Sequence, residues 1–481
     1  MTRSLDTPDK THPTAEWMRK GKFGIYTHWG IYCVPAFGPN VTWYPFNMYR
    51  EGSPQFDHHT KTYGHPSVFG YKDFIPMFTA EKFDPDEWAA LFKRAGATFA
   101  GPVGEHHDGF PMWDCSDTEW CAAKMGPKRD IVGELEKSIR AQGMKFMVAM
   151  HHAENWWFYP HWKAEYDTAD PQYAGLYGEP HNLDFDFHSP TYGLDFAEWA
   201  AQDKPSKAFL DRWKNRLIEV VDRYTPDYVW FDLGLRWIYD QYKQEFLAYY
   251  YNKEAEWGRE VVASYKWHDI PPGTALLDFE LGKTDELTHY EWITDTTVDD
   301  GKGWGYVRDS RYKSVTEMVH YLADNVSKNG FMLLNVGPMP DGTIPDEPKA
   351  VLEGIGDWLR VNGEAIYDTV AWNIYGEGPT RMTHVGGFSD LKQKLRYTAS
   401  DIRFTVNGNM LYATTLGWPE KTFVIETGKT LYPGEVQSVE MLGHPGQLKW
   451  EMTEQGLQIE RPDEKPCEHA FAFRITRNTT V

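Results

Sequence analysis

The chain has 481 residues, 41% hydrophobic and 25% charged, the balance of an ordinary globular protein long enough for two domains. Its 49 Lys and Arg against 70 Asp and Glu leave a net charge of −21, which repels phosphate backbones and anionic lipid and argues against nucleic acid or membrane partners. Four cysteines, Cys33, Cys115, Cys121 and Cys467, form no C-x-x-C pair, so neither a zinc ribbon nor a redox motif is indicated; free buried thiols are expected, although Cys115 and Cys121 are near enough in sequence to bridge.

No apolar run approaches ~18 residues, so no segment is expected to span a membrane. Residues 1–20 are polar and carry no signal segment, which suits a cytoplasmic chain or one whose leader has been removed. From about residue 20 to 370, short apolar runs alternate with longer amphipathic ones. Phe23 to Thr27 reads as a strand ending at His28. Asp84 caps a helix running to Arg94, with Pro85 at its first position and Gly96 just beyond its end. The next strand, Thr98 to Val103, runs into Glu105-His106-His107. A helix from Asp130 to Ala141 precedes the strand Lys145 to Met150, which ends at His151. The helix Lys207 to Tyr224 is punctuated by Pro226, and a short apolar strand then ends on Asp232. Asp240 to Trp257 leads into Glu260 to Tyr265 and Lys266; Ser314 to Ser327 leads into Phe331 to Asn335.

Repeated strand-then-helix order predicts a parallel sheet, and this many units predict a closed (β/α)8-like TIM barrel, with residues 1–370 as the catalytic domain. No G-x-G-x-x-G follows a strand, which counts against a dinucleotide fold. Beyond residue 370 the grammar changes to short alternating segments: Ile402 to Val406, an Asn407-Gly408 turn, then Met410 to Thr415. Residues 371–481 are expected to form an antiparallel β-sandwich. Asn182-Leu183-Asp184-Phe185-Asp186 alternates oxygens like the start of a calcium loop, but it lacks the glycine and glutamate that such a loop requires.

Polar groups gather at the strand ends, where a barrel places its chemistry. His28, His106, His107 and His151 each follow a strand, and neutral imidazoles bind hydroxyls as donor and acceptor at once. A metal is the weaker reading, because neither H-x-H nor H-E-x-x-H spacing occurs. With 21 Trp, 28 Tyr and 26 Phe, the chain has rings to spare for covering the apolar faces of a sugar. Glycoside hydrolysis needs one charged and one protonated carboxyl group. Asp232, beside Trp230 and Phe231, fits the nucleophile. Glu291, between Tyr290 and Trp292, fits the acid/base, with a pKa raised by its apolar neighbours.

At these residues the chain resembles the α-L-fucosidases of glycoside hydrolase family 29. The matching pieces include Lys22 to Gly30, His106-His107-Asp108-Gly109-Phe110, Arg129 to Leu135, Pro226 to Asp232, Trp304-Gly305-Tyr306, Leu333 to Pro338 and Asn362 to Tyr367. The resemblance implies a barrel followed by a β-sandwich, and an exo-acting, retaining hydrolase of terminal α-L-fucose that needs no metal or other cofactor. Its substrate would be a fucosylated oligosaccharide or polysaccharide. Asp232 is implied as nucleophile and Glu291 as acid/base. His28, His106, His107 and Trp230 are implied as contacts to the fucose hydroxyls, Trp43 as a further sugar-contacting ring, and Trp304 as an aromatic packed near the methyl group. Three positions depart from the usual pattern: Thr42 stands in place of a Glu, Lys266 in place of a sugar-binding Arg, and His151 in place of a Tyr found in some relatives. Alternatives are a hydrolase of a related sugar, such as an α-L-galactoside, or a fucose-binding protein without turnover.

Overall fold

The computed structural model describes residues 11–181, 204–301 and 303–478, so the Asn182–Asp186 stretch lies outside the described residues. Eight parallel strands close into a barrel in simple chain order: β1 (Phe23–Thr27), β2 (Phe99–Glu105), β3 (Lys145–Met150), β4 (Tyr228–Phe231), β5 (Val262–Lys266), β6 (Leu276–Asp278), β7 (Trp292–Thr297) and β8 (Gly330–Val336). Closure comes where β1 pairs with both β2 and β8. Nearly every strand residue is buried, because the barrel interior lies on one face and helices cover the other. Those helices form where the sequence predicts them. Pro85–Arg94 is capped by the Asp84 carboxylate, which accepts from the Asp86 and Glu87 amides, and Lys207–Tyr224 is capped by Ser206.

Side chains alternate along a strand, so residues two apart share a face. One buried cluster marks the inward set, including Tyr26, Phe99, Val103, Met147, Ala149, Trp230, Val262, Leu276, Ile293 and Leu333. Continuing that period upward aims His28, His151, Asp232, Lys266, Glu280 and Asp295 into the C-terminal mouth. β2 breaks the period: its register against β3 shifts between Val103 and Glu105. The shift turns Glu105 outward onto Arg216 and brings His106 to the mouth.

The C-terminal part contains two antiparallel sheets. One has the order β13-β16-β11-β10-β9 and the other β12-β15-β14, with β9 as Val370–Glu377, β10 as Ile402–Asn407, β11 as Met410–Thr415, β12 as Thr422–Ile425, β13 as Val436–Met441, β14 as Lys449–Thr453, β15 as Gly456–Glu460 and β16 as Phe471–Arg477. Phe404, Ala413, Leu457, Ile459 and Phe473 from both sheets share one apolar core, as in a sandwich. The expected hairpin is present, but Asn407 pairs with Met410, so its turn is Gly408-Asn409, with Gly408 at φ 57°. Arg403 of β10 reaches the barrel helix Val315–Ser327, where its Nε donates to Asp324 at 2.6 Å. All four cysteines are free, and three of them are buried. Among the described residues no helix is long and apolar enough to cross a membrane.

Candidate active site

A cavity of about 200 Å³ opens at the C-terminal mouth of the barrel. It is smaller than the ~300–1,000 Å³ usual for drug-sized ligands and suits a single sugar ring. Nine of the residues anticipated from sequence line it or support it. His28, Trp43, His106, His151, Trp230, Asp232, Lys266 and Trp304 form its wall. His107 lies behind Asp232, its Nε2 3.3 Å from the carboxylate, while its Nδ1–H donates to the His151 carbonyl at 2.7 Å.

Lys266 organises the centre. Its ammonium lies 2.8 Å from Asp232, 2.7 Å from Glu280 and 3.4 Å from Asp295, and it rests over the Trp230 ring. Two carboxyl oxygens on one ammonium at those lengths are at most about 5.5 Å apart, which fits the ~5–5.5 Å of retaining glycosidases. The carboxyl groups are not equivalent. Burial opposes charge on Asp232, but the Lys266 ammonium and the hydrogen bond from His107 hold its pKa well below the usual carboxylate range. Burial and the neighbouring Asp295 and Asp232 push Glu280 the other way, to about 8, despite Lys266. Asp295 is driven well above its ordinary value by burial and by Asp278 beside it, and it accepts a hydrogen bond from Tyr26 at 3.0 Å. At neutral pH the site therefore holds one anionic carboxylate and a protonated carboxylic acid within reach of one bond. Pairs of carboxyl groups pushed apart in this way mark acid/base assignments.

The imidazoles supply the other chemistry. Burial lowers His28 to about 3 and drives His106 and His151 well below their usual range, so all three are neutral at pH 7. His107 goes the other way: burial opposes its charge, but Asp232 and Glu154 on either side raise its pKa. The His28 Nδ1 bonds the Asn335 side-chain oxygen at 2.9 Å, which leaves its Nε2 as an acceptor toward the cavity. Among the described residues, His106 Nδ1 and both His151 nitrogens have no hydrogen-bond partner. Nitrogens of His28, His106 and His151 lie within 4.8 Å of one another, so the trio could meet sugar hydroxyls or hold a divalent cation.

Two expectations need correction. Glu291 directly precedes the first residue of β7, so it lies at the N-terminal rim of the barrel, away from the mouth. There it pairs with Arg19 at 2.8 Å and lines a separate groove of about 480 Å³. The cavity lined by Asp232 does not include it. Trp230 was expected to touch hydroxyls, but its indole N–H is committed to Asp278 at 2.6 Å, leaving only its ring face. Sequence reading missed Glu280 because it missed β6. The signal is Leu276-Leu277-Asp278-Phe279-Glu280, a short apolar run ending on carboxylates, much like the run that ends at Asp232.

Comparison with known proteins gives the family. Residues 2–364 match the alpha-L-fucosidase family model, and residues 392–476 match the alpha-L-fucosidase C-terminal domain. The chain belongs to the α-L-fucosidase family. It is 30% identical to the tissue alpha-L-fucosidase of Rattus norvegicus, over 98% of this chain and 92% of the rat protein. The Thermotoga maritima alpha-fucosidase solved in complex with fucose superposes with a TM-score of 0.74 at 30% identity, covering 97% of each chain. The same enzyme solved with a mechanism-based inhibitor gives 0.75, at the same identity and coverage.

Proposed function

We propose that Asp232 is the nucleophile and Glu280 the acid/base of an exo-acting, retaining α-L-fucosidase that releases terminal α-L-fucose from fucosylated glycans. The observation that carries the assignment is the single Lys266 ammonium held between a carboxylate that stays charged and a carboxyl that stays protonated. An Asp232 oxygen attacks the anomeric carbon as the glycosidic bond breaks, and the Glu280 proton passes to the departing oxygen. Water then attacks the anomeric carbon of the fucosyl ester, giving its proton to Glu280 and releasing Asp232, so the configuration is retained. Lys266 and His107 hold Asp232 as an anion and fix its aim.

His106 and His151 offer the fucose hydroxyls ring nitrogens that no hydrogen bond among the described residues occupies, and His28 offers the Nε2 that its bond to Asn335 leaves as an acceptor. Trp43, Trp230 and Trp304 present ring surface to its apolar edges. The division at residue 370 follows the same reading, with catalysis in residues 1–370.

Azide separates the two carboxyl roles. Asp232→Ala with azide should yield fucosyl azide of inverted configuration, because azide takes the nucleophile's place. Glu280→Ala should yield the retained anomer, because azide replaces water on the fucosyl-enzyme. The same anomer from both variants would refute the assignment.

A further inference from the structure

We propose that the segment Gly386–Asp390, which follows the barrel in sequence, completes the leaving-group side of the cavity, with Phe388 as the surface on which the departing sugar packs. This rests on Glu280 being the acid/base. The segment lies between the stretches matched by the two family models, which end at residue 364 and resume at 392. It nevertheless docks onto the Glu280 loop through its main chain. The Phe388 amide donates to the Glu280 carbonyl at 2.6 Å, the Asp390 amide to Leu281 at 2.9 Å and the Gly386 amide to Lys283 at 2.8 Å. The Lys283 amide donates in turn to the buried Ser389 hydroxyl at 3.2 Å. The approach is close enough that a Cβ on Gly282 would lie 2.0 Å from the Gly386 carbonyl oxygen.

Three features of Phe388 point outward to a ligand. It lines the cavity although it comes from outside the barrel. It is half-buried and joins none of the hydrophobic clusters formed by the described residues. Its φ is +59°, a conformation that glycine takes readily and a bulky residue does not, in a stretch that already contains Gly386 and Gly387. The turn alone would be better served by glycine, so the ring is there for what it touches.

The occupant follows from position. Most of the cavity wall is buried, whereas Asn40 is exposed and Asp232, Leu233, Trp304 and Phe388 are half-buried, so the opening through which an attached sugar extends lies on their side. Phe388 is bonded to the backbone of the proton donor, so its ring stands beside the oxygen that leaves. A pyranose attached through that oxygen would lay its C–H face on the ring.

The test is Phe388→Gly, which keeps the turn and removes the ring. The ratio of kcat/KM for a fucosylated disaccharide to that for methyl α-L-fucoside should fall about tenfold, mainly through KM, the worth of one aromatic contact. Phe388→Leu, which restores bulk without the flat face, should recover only part of the ratio. An unchanged ratio, or equal losses on both substrates with weakened inhibition by free fucose, overturns the proposal. The azide products of Glu280→Ala report separately on the acid/base reading, so failure of one is distinguishable from failure of the other.

Discussion

Glu280 and Glu291 make opposite predictions for the same substitution. In Glu280→Gln the proton donor is lost while Asp232 keeps its 2.8 Å contact with Lys266. General acid catalysis contributes about 10²–10⁴-fold, or roughly 3–5 kcal/mol of barrier. Hydrolysis of a fucosylated disaccharide, whose leaving group needs that proton, should therefore lose kcat/KM by that factor. A dinitrophenyl fucoside leaves without help, so its fucosylation step should change little. In the parent enzyme, disaccharide turnover should also decline tenfold per pH unit above about 8, as Glu280 loses its proton; the glutamine variant should lack that alkaline limb. Glu291→Gln breaks only a partly exposed pair with Arg19, at 2.8 Å. Such pairs are worth ~0–1 kcal/mol to stability, and no change in either limb is expected. The assay is kcat/KM against pH for the parent and both variants on both substrates. A hundredfold loss in Glu291→Gln with Glu280→Gln near the parent rate would refute the reasoning.

Lys266→Met leaves the buried Asp232 carboxylate without its closest cation, a change expected to destabilise by ~3–5 kcal/mol. Lys266 lowers the pKa of both Asp232 and Glu280, so both limbs of the residual pH profile should move to higher pH; movement toward acid would contradict the pairing. Glu280 also sets a stability trend. Its folded-state pKa of about 8 exceeds the ordinary 4.5, so the folded protein holds a proton that the unfolded chain releases in that window. Stability should therefore fall as pH rises from about 4.5 to 8, by at most ~5 kcal/mol from this group. Thermal unfolding of Glu280→Gln should show a shallower decline over that range. Asp324, bonded to Lys328 at 2.9 Å and Arg403 at 2.6 Å, is held below its usual pKa against the cost of burial. Asp324→Asn should cost ~3–5 kcal/mol at neutral pH, and this cost should shrink on acidification, because the parent's own pairing fades as the carboxylate takes up its proton.

The barrel was legible wherever a strand is apolar and a capped helix follows it. Asp84, Ser314 and the Lys207–Tyr224 stretch announce their helices through local hydrogen bonds that need no tertiary partner. β6 and β7 were not legible in this way. β6 spans only Leu276–Asp278, and β7 is Trp-Ile-Thr-Asp-Thr-Thr, whose inward Asp295 is tolerated only because Lys266 and Tyr26 reach it from other strands. A polar residue inside a barrel reads as loop in one dimension, since the partners that make its burial affordable are remote in sequence. That gap carried over to the site. Without β7, Tyr290-Glu291-Trp292 looked like an apolar nest for an acid, whereas the strand that starts at Trp292 sends its chemistry forward to Asp295 and leaves Glu291 at the wrong end. Asp232 needed no such help, because the Pro226-Asp227 break, the four apolar residues Tyr228 to Phe231 and then Asp232 state their own direction. Lys266 shows the remaining limit: as a letter it is a lost arginine fork, and only the convergence of β4, β5 and β7 with the Glu280 loop makes it the cation that keeps two acids in different charge states.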